Sequence, residues 1–425
     1  MIRKQNIVQT ALNNHILNND TTAIGVMDFD HLRATVSDLH AAFPSQFFHT
    51  FAVKANALVK ILQELRLAGM GAEVASPGEL KIALAAGFTS EQIIFDSPAK
   101  TKHDLRSCIQ HNIALNIDNE QELARIDELK NEFPDSTSVI GFRINPQIGG
   151  GNISSTSTAT STSKFGFALA DHGQREALIN IYKQRPWLTS LHTHSGSQGC
   201  ELELMAQGIN ELVELAEEIN LAVGFQQVTQ LDIGGGLPVN FESEEMTPTF
   251  KEYADVLESY VPKLFSGQYK IKTEFGRAIA AKSGFILTRV EYTKSSGGRH
   301  IATTHAGAQI LTRTAFLPNS WPIRVTGFTQ DGIERTENNS KVVETDVAGP
   351  CCFAGDLVCQ AQFLPELQAG DFVMIHDTGG YYFTNHFDYN SLPRVAVYSV
   401  EGENNSLNFN NIRQADTLND VLSRM

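Results

Sequence analysis

Between residues 23 and 281 the chain alternates short, almost wholly apolar runs with longer amphipathic stretches. The runs are 24–27, 48–53, 71–74, 93–95, 115–117, 139–144, 188–193, 231–233 and 271–274. Between them, 59–68, 79–86 and 209–219 place apolar residues at helical spacing. A strand buried on both faces reads as a continuous apolar run, so the alternation predicts a parallel sheet covered by helices. Counted from residue 48 onward, the units come close to the eight of a closed (β/α)8 TIM-type barrel, about 250 residues long. An open doubly wound sheet fits the same alternation.

After residue 281 the pattern turns to period two. Segments 285–293, 299–304, 323–328, 341–347, 372–376 and 394–400 read as strands separated by Gly, Pro, Asn and Asp turns. The expected architecture is α/β: a barrel over 23–281, and an all-β domain built from 282–425 with 1–22. Residues 1–22 read as a helix or strand leading inward, and 404–411 as an Asn-rich turn before a short helix to Met425. Segment 149–163, Gly-rich and then Ser/Thr-rich, cannot bury enough apolar surface to order itself. It reads equally as a flap over the barrel mouth or as a passive surface loop.

Composition narrows the partners. A 425-residue chain that is 42% hydrophobic can build a large core and more than one domain. A formal net charge of -15 argues against nucleic acid and anionic membrane. Five cysteines show no metal-ligand spacing, and Cys351 and Cys352 are adjacent, which points to a reducing compartment and no metal. The chain shows neither a signal-peptide pattern at its start nor a membrane-length apolar run, so a soluble cytoplasmic protein is expected.

Candidate chemistry falls just after the apolar runs, at Lys54, Glu73, His194, Gly234-Gly235-Gly236 and Glu274. A barrel gathers its strand ends on one face, which carries the chemistry. A lone lysine after a strand is most often a surface charge; in a desolvated pocket its amine loses a proton readily and attacks a carbonyl. Three glycines after a strand let backbone N–H groups approach a phosphate where a Cβ would block it, although tight turns use the same residues. His192 and His194 share one strand face. With no Cys or carboxylate close in sequence they do not make a metal site, and an imidazole stacked on a flat cofactor suits His194, with Ser197 bonding a phosphate or ring substituent. Glu274 beside Arg277 reads either as a surface ion pair or as a divided site. In the second case the carboxylate favours a protonated pyridine nitrogen and the guanidinium binds phosphate or carboxylate. Together these are the requirements of a pyridoxal phosphate Schiff base.

In this order, Lys54, the His194 segment, the glycine triplet and Glu274-Phe275-Gly276-Arg277 resemble the fold-type III pyridoxal phosphate decarboxylases, whose members include ornithine, arginine and diaminopimelate decarboxylases. The likeness runs from about residue 23 to 400 and is nearest in pattern to the diaminopimelate enzymes. It implies an alanine racemase-like fold, Lys54 as the Schiff-base lysine, and a homodimer that shares its active sites. It further implies that Cys352, in Gly349-Pro350-Cys351-Cys352, is the acid returning a proton to the substrate carbon from the partner subunit. By the same likeness Tyr381 in Gly379-Gly380-Tyr381 binds phosphate, Tyr389 lines the substrate pocket, and Arg313 takes a distal carboxylate.

Three positions depart from the family pattern. Phe353 stands where an acid usually holds the substrate's distal ammonium, Phe275 replaces a proline, and Phe316 and Leu317 replace a tyrosine expected after Arg313. An aromatic ring leaves a distal cation unpaired, which is costly. Arg313 with Phe353 therefore points to a substrate whose distal end is carboxylated or uncharged, such as a citryl-diamino acid siderophore precursor. One rival is an amino-acid racemase on the same fold, which resembles this chain around the lysine but sets an arginine at the pyridine nitrogen. Another is a non-catalytic binding protein, which would be expected to lose Lys54 or the glycines.

Overall fold

The computed structural model describes residues 2–151, 153, 158–404 and 406–425. The chain divides into two compact units, 35–239 with 246–279, and 1–34 with 240–245 and 280–425.

The strands, in order, are β1 (Ala23–Asp28), β2 (Phe47–Ala52), β3 (Gly71–Val74), β4 (Ile93–Asp96), β5 (Ala114–Ile117), β6 (Ile140–Asn145), β7 (Phe167–Ala168), β8 (Leu188–Thr193), β9 (Gln230–Asp232) and β10 (Lys270–Phe275). In the first unit the hydrogen-bonded order is β5-β4-β3-β2-β10-β9-β8-β6, and β5 pairs with β6, so eight parallel strands close on themselves. The expected closed barrel is therefore present, and the open sheet falls because no edge remains. The two-residue β7 adds onto β6. Turn chemistry starts the helices cleanly. Ser76 accepts from Glu79 N, Asn119 accepts from Glu122 N, and Thr101 with Asp104 and Thr249 with Glu252 form reciprocal capping boxes. Buried Lys100 joins the loops after β4 and β5, donating to Ser97 O and Asn116 O and pairing with Glu122 at 2.9 Å.

The second unit continues with β11 (Gly284–Ser296), β12 (Arg299–Thr304), β13 (Val325–Phe328), β14 (Val342–Ala348), β15 (Leu357–Pro365), β16 (Phe372–Ile375), β17 (Ala396–Glu401) and β18 (Asn408–Arg413). Seven strands run in the order β15-β14-β12-β11-β1-β17-β18, with β16 bridging β11 and β13. The N-terminal segment forms the helix Ile2–Asn13, which sets Ile7, Val8 and Ala11 against Ile24, Val26, Phe285, Leu287 and Met374.

Two expectations are corrected. The barrel domain is expected to span 23–281, and a strand forms at residue 23, but β1 pairs antiparallel with β11 and parallel with β17. Both of its hydrogen-bonding edges are thus taken within the second sheet. The segment read as an Asn-rich turn over 404–411 gives way at Asn408 to β18, antiparallel to β17. A ready partner edge overrides weak strand propensity there. Of the expected flap, residues 152 and 154–157 lie outside the described residues. What is described is anchored: Gly149 N donates to Ala159 O at 3.1 Å, and Asn145 Nδ2 to Thr160 O at 2.9 Å.

Ile24 is fully buried in β1, paired on both sides. Ile24→Ala should cost about 2–5 kcal/mol, read as a fall in the urea midpoint of the transition that unfolds this sheet.

Candidate active site

The barrel's interior is polar at the carboxyl ends of its strands. Lys54 sits in the single 3-10 turn Val53–Ala55 directly after β2, and its Nζ lies 3.0 Å from Glu73 Oε2 on the neighbouring β3. Glu274 on β10 pairs in register with Thr50 on β2, which sets this carboxylate on the strand next to the lysine's. The two histidines converge on it. His192 Nε2 lies 3.5 Å and His194 Nδ1 3.4 Å from Glu274 Oε2. The carboxylate that local sequence does not supply to this pair thus arrives from another strand. The set His192, His194 and Glu274, and the set Glu73, Asp96 and Glu274, are each close enough together to touch one ion, yet both belong to this one cluster.

Asp96 on β4, Arg143 on β6 and Asp232 on β9 complete the interior, and sequence reasoning assigned them no role. Arg143 Nη1 donates to Asp96 Oδ2 at 2.5 Å, and His192 Nδ1 lies 3.9 Å from Asp96 Oδ1. His192 is in register with Arg143 on one side and Asp232 on the other. These strands read as plain apolar runs broken by single polar residues. Only barrel closure turns those residues toward one another.

The electrostatics follow from burial and neighbours. Burial alone would strip His192 of its proton, but Glu274, Asp96 and Asp232 outweigh it and raise its pKa to about 9. Glu274 is held well below the usual carboxylate range: burial opposes ionisation, and His192 and His194 overcome it. Burial pushes Glu73 up to about 8 even with Lys54 beside it, and Asp232 up to about 7 with Glu274 adding to the push. Burial also lowers the pKa of His194, which favours its neutral ring.

The glycine triplet is wedged between the loops after β8 and β10. A Cβ on Gly235 would sit 2.1 Å from Glu274 O, and one on Gly236 2.2 Å from Gly196 O, so neither position accepts a side chain without backbone movement. Gly234 N donates to Asp232 Oδ1 at 3.0 Å, and Gly235 N to His194 Nδ1 at 3.3 Å. Ser197 lies in the loop that packs on Gly236. Arg277, after Gly276, heads the short helix Arg277–Ala280 and is 8% exposed, as Glu274 is 2%, which removes the surface-pair reading.

The remaining predicted residues gather in the β unit. Asp356 Oδ1 accepts from Ala308 N and its Oδ2 from Cys351 N, both at 2.5 Å, locking the Cys351-Cys352 loop to the head of the helix Ala308–Phe316. Asp356 is a functional support that the motif contained but sequence reasoning left without a role. Cys352 is exposed; its N–H donates to Asn390 Oδ1 at 2.7 Å. Phe316, Phe353, Tyr389 and Phe387 form a closed ring of contacts, with centroids 5.4–5.7 Å apart. One helical turn before Phe316, Arg313 lies over the rings of Tyr381 (4.2 Å) and Trp321 (4.8 Å). Its Nη1 is buried without a hydrogen bond, and no carboxylate among the described residues pairs with it.

Because His192 binds its proton more tightly in the folded state, with a pKa of about 9 against an ordinary 6.5, the proton contributes stability that is complete below pH 6.5 and lost as pH rises through 9. The stability gap between wild type and His192→Gln, measured by urea unfolding across pH 5.5 to 9.5 in steps of about one pH unit, should be widest at the acid end and shrink through that window.

Comparison with known proteins agrees with this arrangement. Residues 29–281 match the family model described as pyridoxal-dependent decarboxylase, pyridoxal binding domain. The diaminopimelate decarboxylase of Methanothermobacter thermautotrophicus is 30% identical over 413 residues, covering 94% of this chain and 91% of its own. That of Aquifex aeolicus is 29% identical over 388 residues, covering 89% and 87%. The crystal structure of diaminopimelate decarboxylase from Helicobacter pylori complexed with L-lysine superposes with a TM-score of 0.84 at 26% identity, covering 97% of this chain and 98% of that one. Among the described residues no helix is long and apolar enough to cross a membrane. With an amine and an ionised carboxylate on adjacent barrel strands and this breadth of likeness, the chain belongs to the pyridoxal-dependent decarboxylases.

Proposed function

We propose that this pyridoxal phosphate-dependent amino-acid decarboxylase acts on a diaminopimelate-like α-amino acid whose far end is carboxylated or uncharged, with Lys54 as the amine that holds the cofactor. The observation that carries the reading is Glu274: a buried, ionised carboxylate on the strand beside the one that delivers Lys54. The residues present fit the cofactor. Glu274 Oε1 is buried with no hydrogen-bond partner, and the glycine triplet, free of side chains, lets the loops after β8, β9 and β10 meet beside it.

When bound, the cofactor supplies an aldehyde for amines and a ring that draws in the electrons freed as carbon dioxide leaves. Lys54 would hold that aldehyde through its amine. Glu274, kept ionised by His192, would hold a proton on the cofactor's ring nitrogen, and the neutral ring of His194 would pack against the cofactor. Gly234, Gly235, Gly236, Ser197, Gly276, Arg277 and Tyr381 would receive the phosphate, and Glu73, which accepts from Lys54 Nζ at 3.0 Å, would orient that amine toward the cofactor. Cys352 returns a proton to the substrate Cα, with Tyr389 and Phe353 beside it. A carboxylate rather than a guanidinium for the ring nitrogen favours a decarboxylase over a racemase. The same reading expects a homodimer with shared active sites and a cytoplasmic location.

The far end of the substrate is read from the β unit. Arg313 is a half-buried cation without a carboxylate partner among the described residues, and four aromatic rings occupy the ground beside Cys352. That favours a carboxylated conjugate, of the citryl-diamino acid type, over a substrate ending in an ammonium.

Lys54→Ala should abolish the visible absorbance of protein-bound pyridoxal phosphate together with carbon dioxide release; a retained band would reject the assignment. Cys352→Ala should keep the band and lower kcat by about 10²–10⁴. Mixing the two variants should restore part of the activity if the sites are shared between subunits. In a substrate panel scored by carbon dioxide release, a citryl-diaminopropionate substrate should exceed meso-diaminopimelate in kcat/KM by about tenfold or more, since 1.4 kcal/mol is tenfold. Efficient turnover of meso-diaminopimelate would reject the argument from Phe353.

A further inference from the structure

The barrel has a cavity at the end away from its mouth. A space of about 920 Å³ opens where β5, β9 and β10 begin, lined by the first residues of those strands, among them Ala114, Gln230 and Lys270. On β10, Lys270, Lys272 and Glu274 are two residues apart and face the same way. Glu274 serves the mouth, whereas Lys270 and Lys272 line the opposite cavity.

Lys272 is the unusual member. It is 8% exposed and borders the cavity, and its ammonium makes no hydrogen bond or ion pair with any described residue. Asp232 is its register neighbour on β9, yet their charged atoms stay beyond ion-pair distance. Asp232 Oδ1 is already committed to Gly234 N, and Glu274 Oε2 to the two histidines. Burial pulls the Lys272 pKa down, with Asp232 and Glu274 pulling the other way. A buried ammonium whose nearest carboxylates lie beyond ion-pair distance is costly, and an anion entering the open space beside it relieves the cost. The rim adds donors of the right kind in Lys270, His111, Asn112 and Thr137, and Glu91 is the one acid in the lining. In a chain of net charge -15, two lysines converging on one cavity stand out against the composition.

We propose that the cavity at the amino ends of the barrel strands is a second ligand site, which takes a small doubly charged oxyanion, a phosphate or a dicarboxylate, with Lys272 as its charge anchor. It opens at the other end of the barrel from the cluster around Glu274, and it does not rest on the function read from that cluster.

The test uses the holoenzyme, so that the cofactor's own phosphate fills the glycine cradle. Inorganic phosphate is titrated at ionic strength held constant with chloride, and binding is read from phosphorus NMR line broadening and from the shift in Tm. Saturable binding is expected, weakened at least about tenfold in Lys272→Met, a loss of about 1.4 kcal/mol. Succinate is then added as competitor: displacement of phosphate assigns the site to dicarboxylates as well, and failure to displace restricts it to phosphates, and both results uphold the site. The proposal is overturned if phosphate has no saturable effect on the wild-type holoenzyme, or if Lys272→Met binds it equally well. Should Lys272→Met not fold, the rim variant Lys270→Ala/His111→Ala takes its place: several-fold weaker binding upholds the site, and unchanged affinity overturns it.

Discussion

A carboxylate buried at the end of a barrel strand stays ionised only with a cation against it, and here that cation is a histidine. Glu274 is almost fully enclosed, and burial by itself would protonate it. An opposite charge about 4 Å away recovers roughly 4 kcal/mol at the effective dielectric of a protein interior. That is comparable with the several kcal/mol that burying one ion costs, and the balance falls on the ionised side. His192 occupies that place, and Asp96 and Asp232 in turn keep His192 charged. Arg143 then balances Asp96. Each member is tolerable only because the next is present, so the polar interior behaves as one unit whose product is a fixed negative charge beside the strand of Lys54.

Backbone contact does the rest of the positioning. The glycine triplet lets the loop after β9 touch the loops after β8 and β10 at distances no side chain permits. The N–H of Gly235 meets the ring of His194, and Glu274 N donates to Gly234 O at 2.7 Å. The histidine, the glycines and the carboxylate therefore hold one another in place without a flexible linker. In the β unit a single buried aspartate, Asp356, plays the corresponding part, tying the cysteine loop to the helix that carries Arg313 and Phe316.

Much of this was legible in the chain. Near-continuous apolar runs separated by amphipathic stretches announced a parallel sheet, and the residues closing those runs announced the site. Lys54, the histidines, the glycine triplet and Glu274 each stand where a strand ends, and a barrel brings strand ends together. The departures Phe353 and Phe316 were equally plain, and they turn out to pack face to face at 5.4 Å.

What the sequence determined by itself is the set of local preferences: which segments bury both faces, where backbone must pass without a Cβ, and which reactive groups stand at strand ends. The tertiary structure alone decided partnership. β1 reads like any barrel strand, but its neighbours are β11 and β17, some 260 and 370 residues away along the chain. Asp96, Arg143 and Asp232 look like isolated polar interruptions until the β5–β6 pairing closes the ring and turns them inward. Hydrophobic pattern records only whether a position is buried. Which charge it meets there depends on strand order and register, and those are settled by pairing between segments far apart in the chain.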